Sequence, residues 1–233
     1  MIASHRLPLL FDPDRLKADL GKVAQQDWTQ HFSTMHHDGG WKGAALRSSD
    51  GEIQTLTGRA PDCEDTDLLR ICPYFQEVIS QFKCTTRRVR VLTLAAGSTI
   101  KEHVDRQTSY DHGFVRVHIP IEVNPEVEFY VNRKRIFMGE GECWYVNVSC
   151  PHKVFNGGDT DRVHLVLDCE VNDWLKSMFP GSFNENKTWH MVIYYINWYK
   201  FKLNDGLNIL FHNPTLFSAK IKRRFAGHIG LSH

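Results

Sequence analysis

The spacing of hydrophobic positions changes along the chain, and each spacing predicts a different kind of element. After Asp12-Pro13, a capping residue followed by a first-turn proline, apolar residues recur every three to four positions. The same spacing returns between Pro73 and Phe82. These two segments therefore predict amphipathic helices, the first of them about ten residues long.

From Arg87 onward the period falls to two, which is typical of strands that bury one face. Further alternating runs, separated by turn residues, cover 114–121, 126–131, 143–148 and 162–168. Short strands at this spacing predict a β-sandwich or a barrel. We therefore expect a mainly β fold with its core at about 87–170, within a single domain of residues 1–233.

The remaining segments are expected to flank this core. Residues 1–86 have the pattern of helices and loops, with a short strand at 44–47, and residues 171–233 have the pattern of a helical extension. A second cap-and-proline pair at 213–214 predicts a helix near the C-terminus. A chain of 233 residues can bury a core without disulfides, so we expect its six cysteines to be reduced.

Charge and composition narrow the classes of partner. Lys and Arg total 28 against 27 Asp and Glu, a net charge of +1, so we expect no strong attraction to nucleic acid or to anionic membrane. The sequence shows no apolar run of bilayer length and no signal-peptide core after Met1, which predicts a cytoplasmic protein without a membrane span.

The C-terminal segment is nevertheless locally basic. A solvated helix face is one interpretation, and docking to an acidic carrier protein that presents a substrate is the other. The basic residues of this segment are Lys200, Lys202, Lys220, Lys222, Arg223 and Arg224.

His103 and Asp105 are the first candidates for chemistry. They stand at i and i+2, so their side chains would point to one face of an extended strand. A second imidazole would complete the two-histidine, one-carboxylate set that binds non-haem Fe(II) and leaves adjacent positions open. His152, just beyond the predicted strand 143–148, is the main candidate, and the alternatives lie on other strands. They are His118 and His164.

Arg162 begins an alternating run ten residues beyond His152. A guanidinium can hold a carboxylate with two parallel hydrogen bonds and stays charged when partly buried. Arg162 is therefore a candidate anchor for the distal carboxylate of 2-oxoglutarate, with a salt bridge to a nearby aspartate as the alternative. Arg116 and His118 would share one strand face and are candidates for the carboxylate next to the keto group.

The order of these motifs resembles the aspartyl/asparaginyl β-hydroxylase family of Fe(II)/2-oxoglutarate dioxygenases. Gly-Ser-Thr precedes His-x-Asp, Arg-x-His follows, and Pro-His comes ten residues before an arginine. The resemblance implies a double-stranded β-helix, the cupin-like jelly roll, with flanking N-terminal and C-terminal helices. It also implies dioxygen as co-substrate and a set of site residues. These are His103, Asp105 and His152 for iron, and Arg162, Arg116 and His118 for 2-oxoglutarate.

The implied activity is hydroxylation of an unactivated C–H bond of an amino acid, with succinate and CO2 as co-products. The amino acid would be proline or Asp/Asn-like, and free, carrier-bound or peptidyl. The animal enzymes of the family lack the carboxylate ligand, so the presence of Asp105 indicates the bacterial small-molecule hydroxylases instead. A metal-binding cupin without oxygenase chemistry, either an isomerase or a small-molecule binding module, is the alternative, but it would not need Arg162.

Overall fold

A computed structural model describes five stretches of the chain and a few single residues beyond them. The described residues are 2–25, 28–30, 38–57, 62–105 and 108–181, with Val192, Ile196, Tyr199, Lys200 and Leu203. The helix predicted near residue 213 and all of the basic C-terminal residues except Lys200 lie outside these residues.

Strands predominate among the described elements, and four α-helices flank them. The strands are β1 (Ser4–Leu10), β2 (Thr29–Gln30), β3 (Trp41–Ser48), β4 (Glu64–Asp65), β5 (Thr86–Leu94), β6 (Thr99–His103), β7 (Phe114–Glu122), β8 (Val127–Val131), β9 (Lys134–Ile136), β10 (Glu142–Val146), β11 (His152–Asn156) and β12 (Arg162–Glu170). The helices are α1 (Pro13–Val23), α2 (Asp67–Arg70), α3 (Pro73–Ser80) and α4 (Asp173–Lys176).

Both helices predicted before residue 87 are confirmed. The Asp12 side chain caps α1 by accepting from the next backbone N–H groups, and Pro13 occupies the first turn. Helix α3 begins at Pro73. The buried carboxylate of Asp19 joins the two helices because it accepts the N–H groups of Tyr74 and Phe75 at 2.7 and 2.9 Å.

Antiparallel pairing joins the described strands into two sheets. The larger sheet has eight strands in the order β1-β10-β7-β12-β5-β3-β2, with β4 beside β3, and the smaller has four in the order β6-β11-β8-β9. Val146 and Val166 of the larger sheet share one apolar cluster with Phe129 and Val154 of the smaller sheet, so the sheets face each other. The predicted mainly β jelly roll is confirmed.

Strand alternation gives the larger sheet two different faces. Val117 on β7 and Leu165 on β12 belong to the cluster that packs against α1 and α3. Their neighbours at even positions, such as His118 and Val166, point into the space between the sheets, which we call the barrel interior. The helices pack against the apolar outer face, and the inner face carries polar side chains such as His118.

The sheet begins well before residue 87, where the sequence predicts only one short strand. Strand β1 pairs with β10, and β3 is longer than the predicted 44–47 and pairs with β5. In β1 only Leu7 is fully buried, so the alternation that marks a strand is weak there. No helix in the described ranges is both long enough and apolar enough to cross a membrane.

Candidate metal centre

Two histidines meet because the smaller sheet pairs β6 with β11. His103 ends β6, His152 begins β11, and the two residues are direct partners in the antiparallel register. Their ring centroids lie 4.2 Å apart, and both side chains are buried. Cross-strand pairing thus brings together two imidazoles that are far apart in sequence.

The hydrogen bonds of both rings fix the tautomer. Nδ1 of His103 lies 2.8 Å from the carbonyl oxygen of Lys101, and Nδ1 of His152 lies 3.0 Å from that of Cys150. A carbonyl oxygen only accepts, so each Nδ1 carries the proton and donates it. In the neutral form of each ring, Nε2 therefore carries the lone pair that can bind a metal ion.

Asp105 lies beyond the end of β6, and not on the same strand as His103 as the sequence predicts. Its backbone is held instead by the opposite loop: its N–H donates to the Val148 carbonyl at 2.9 Å, and its carbonyl accepts from Ser149 Oγ at 3.1 Å. The candidate ligand atoms of His103, Asp105 and His152 all lie within 4.8 Å of one another. The loop contacts, and not a continuation of β6, therefore hold the Asp105 carboxylate close to the two imidazoles.

The charge states at this cluster suit a cation. Burial, and after it the neighbouring His103, lower the pKa of His152 to about 3, so the His152 imidazole is neutral near pH 7. Burial opposes ionisation of Asp105, but Arg116 and the two histidines hold its pKa well below the usual range. The site thus offers a neutral nitrogen donor at His152 and an anionic oxygen donor at Asp105.

Arg162 is a buried cation without a counter-ion among the described residues. Its side chain is 2% exposed, and its Nη2 donates to Nδ1 of His164 at 2.8 Å. Its Nε finds no hydrogen-bond partner in the described part of the chain, and Asp161 instead accepts the N–H of Ala96 at 3.1 Å. Burial lowers the pKa of Arg162 to about 9. A buried guanidinium of this kind calls for an anionic ligand.

His118 and His164 form a separate pair beside Arg162. Because the guanidinium donates to His164 Nδ1, that nitrogen carries no proton, and the 3.3 Å contact must use the proton of His118 Nδ1. Nε2 of His118 is then an acceptor, buried and without a partner among the described residues. The metal-capable cluster in the described chain contains neither of these alternative ligands.

Arg116 contacts protein carboxylates. Its Nη1 donates to Asp105 Oδ2, and its Nε and Nη2 donate to the two oxygens of Asp168 at 2.7 and 3.2 Å. Sequence reasoning missed Asp168, although a signal was available. Arg162, His164 and Asp168 stand at even intervals on β12 and so share one face.

A comparison with models of protein families shows to which family the chain belongs. The family model of the aspartyl/asparaginyl beta-hydroxylases matches residues 12–171 of the 233-residue chain. The chain belongs to this family. The resemblance inferred from the motif order is thereby confirmed, and the match includes α1 and α3 as well as strands β2 to β12.

Individual relatives are more distant. L-proline cis-4-hydroxylase of Rhizobium meliloti (strain 1021) is 28% identical over 181 residues, which make up 76% of this chain and 62% of that protein. The chain thus spans less than two thirds of that relative.

Solved structures also match. HygX from Streptomyces hygroscopicus, solved with nickel, 2-oxoglutarate and hygromycin B bound, has a TM-score of 0.50 at 9% identity, over 73% of this chain and 84% of that chain. A Pseudomonas putida prolyl-4-hydroxylase has a TM-score of 0.48 at 11% identity, over 73% and 93%. The likeness to HygX supports the fold.

Proposed function

We propose that the chain is an Fe(II)- and 2-oxoglutarate-dependent dioxygenase that hydroxylates an unactivated C–H bond of an amino acid. The balanced reaction converts the substrate C–H, dioxygen and 2-oxoglutarate into C–OH, succinate and CO2. The observation that carries the proposal is the combination of a three-donor cluster with a buried, uncompensated guanidinium in one barrel interior. A metal-binding cupin without oxygenase chemistry would not need the buried guanidinium of Arg162.

His103, Asp105 and His152 fit a ferrous ion by the chemistry of their donors. Both imidazoles present Nε2, and the carboxylate is ionised. Three protein ligands would leave the remaining coordination positions for a chelating keto acid and for dioxygen. The chemistry that bound Fe(II) supplies is oxygen activation coupled to oxidative decarboxylation of 2-oxoglutarate.

Arg162 would hold the distal carboxylate of 2-oxoglutarate. His164 accepts from one guanidinium nitrogen and so fixes the plane of the group, while Phe129 lies under it with its ring centre 5.5 Å from the guanidinium carbon. Binding of the anion would offset the cost of burying the cation. Nε2 of His118 accepts hydrogen bonds, as a carboxylate oxygen does, so the two cannot bond directly. We therefore propose that His118 positions the co-substrate through a water molecule or a neighbouring donor group that lies between them.

Arg90 supports an amino acid as the substrate. Its side chain is buried, its Nη1 and Nη2 donate to the Leu56 carbonyl and to Asp168, and its Nε has no partner among the described residues. A substrate carboxylate would complete these contacts. Trp41, whose ring lies 6.2 Å from that of His103, would supply an apolar wall beside the reacting carbon.

The test is a substrate screen with two linked readouts. Purified protein is given Fe(II), 2-oxoglutarate and each amino acid, beginning with L-proline because of the Rhizobium relative, and then with peptidyl and carrier-bound forms. We expect one substrate to stimulate succinate release and to gain one oxygen atom by mass. Absence of both signals across the screen, with metal bound, would favour the cupin without oxygenase chemistry.

Alanine variants of the three proposed ligands test the metal assignment. We expect His103→Ala, Asp105→Ala and His152→Ala to abolish iron-dependent succinate formation, because each removes one of the three donors. The matched control is His5→Ala, since His5 lies on edge strand β1 and bonds to the Met178 carbonyl. Full activity in any of the three ligand variants would refute that residue's role.

A further inference from the structure

Asp168 is a carboxylate buried in the barrel interior among three guanidinium groups. Only 3% of the residue is exposed. Its Oδ2 lies 2.6 Å from Arg88 Nη2 and 3.0 Å from Arg90 Nη2, and its Oδ1 accepts from Arg116 Nε at 2.7 Å. The strand register explains the cluster, because Asp168 stands directly opposite Arg88 on β5 and Arg116 on β7.

Arg116 divides its nitrogens between two carboxylates. Nε and Nη2, which form one edge of the group, donate to the two oxygens of Asp168, and Nη1 donates to Oδ2 of Asp105. A guanidinium is planar and rigid, so fixing one edge also fixes the direction of the remaining nitrogen. The position of Asp168 therefore determines where Arg116 meets Asp105.

This division matters because an arginine and a carboxylate prefer to pair through two parallel hydrogen bonds. If Arg116 were released from Asp168, it would be free to take both oxygens of Asp105. In the structure it takes Oδ2, and Oδ1 remains turned toward the imidazoles, 3.7 Å from His103 Nε2. One oxygen of Asp105 is thus kept for a metal ion.

We propose that Asp168 is a positioning residue that engages one edge of Arg116 and thereby keeps Asp105 available as a metal ligand through a single oxygen. The inference rests on the proposed metal site and extends it to a residue that touches neither metal nor substrate. Outer partners of metal ligands commonly change metal affinity by 10- to 100-fold, and Asp168 acts one contact further out.

The test uses Co(II) alone, without co-substrate or substrate. We expect Asp168→Asn to bind Co(II) about 10- to 100-fold more weakly than the wild type. We also expect its visible Co(II) spectrum to match that of Asp105→Ala, because the carboxylate would have left the metal. A purely structural role would lower stability without producing that spectrum, and circular dichroism would confirm that the variant is folded.

Arg88→Gln is the matched control, because Arg88 also contacts Asp168 but has no contact with Asp105 among the described residues. It should keep the wild-type Co(II) spectrum. If Asp168→Asn does not fold, Asp168→Glu serves instead, since the longer side chain keeps the charge but cannot hold the Nε–Nη2 edge of Arg116 in the same direction, and it should give the Asp105→Ala spectrum. A wild-type spectrum and affinity in Asp168→Asn, or in a folded Asp168→Glu, would overturn the inference while leaving the metal site intact. Failure of the wild type to bind Co(II) would instead refute the metal site and, with it, the inference.

Discussion

At the scale of single residues, the guanidinium of Arg162 connects the fold to the proposed co-substrate. It is buried, and it has no counter-ion among the residues that the structure describes. Loss of a charge-assisted double hydrogen bond costs about 1.5–3 kcal/mol, so we expect Arg162→Ala to raise the KM for 2-oxoglutarate about 10- to 100-fold. Succinate formation against 2-oxoglutarate concentration measures this.

The control for Arg162 is Arg15→Ala, which removes a half-exposed arginine paired with Glu77 on the helical surface. That variant should leave the KM unchanged. An unaltered KM in Arg162→Ala would show that another group holds the co-substrate.

The site residues differ in how far sequence can predict them. His103, Asp105, His152 and Arg162 are predictable as candidates, because their spacing follows a recognisable order. The contacts of Asp168 are not, since its partners lie on two other strands and only the register brings them opposite it. Sequence alternation gives the face of a residue but not its cross-strand neighbour.

At the scale of elements, the nine-residue strands are predictable from the sequence and some of the shorter strands are not. Strands β5, β7 and β12 fall where the two-residue period places them. Strand β6 has only two buried residues in five, and β11 alternates too briefly to stand out beside a turn. Pairing with neighbouring strands, which the sequence does not show, stabilises these shorter elements.

Substitutions at two glycines test how closely the backbone packs where elements meet. Gly141 has φ +74°, and an added Cβ would lie 2.2 Å from the Phe11 carbonyl oxygen where β1 meets α1. We therefore expect Gly141→Ala to lower the free energy of unfolding by at least about 2 kcal/mol, through backbone strain and the clash. Gly21 in α1 has open space around it, so Gly21→Ala should raise the free energy by about 0.5–1 kcal/mol. Urea denaturation measures both, and equal effects would contradict this packing.

At the scale of the whole molecule, the buried histidines make stability depend on pH. Burial, and then the charge of Arg162, lower the pKa values of His118 and His164 well below their usual range. Below about pH 6.5 these histidines bind protons in the unfolded chain but stay neutral in the folded chain, so a lower pH favours unfolding. We expect each of the two, and His152 with its pKa of about 3, to remove about 1.4 kcal/mol between pH 7.5 and 5.5.

Urea denaturation at the two pH values measures this loss. The window lies above the range in which most carboxylates titrate, so it isolates the histidines. Stability that stays constant or rises toward pH 5.5 would show that these buried rings are protonated in the folded state.

The central claim is that His103, Asp105 and His152 hold one ferrous ion to which 2-oxoglutarate is chelated. Anaerobic addition of Fe(II) and 2-oxoglutarate tests it most directly, because the chelate has a weak visible charge-transfer band. We predict that the band appears in the wild type and in Arg15→Ala, and disappears in His152→Ala. A colourless wild type at saturating metal and co-substrate, or an undiminished band in His152→Ala, would contradict the claim.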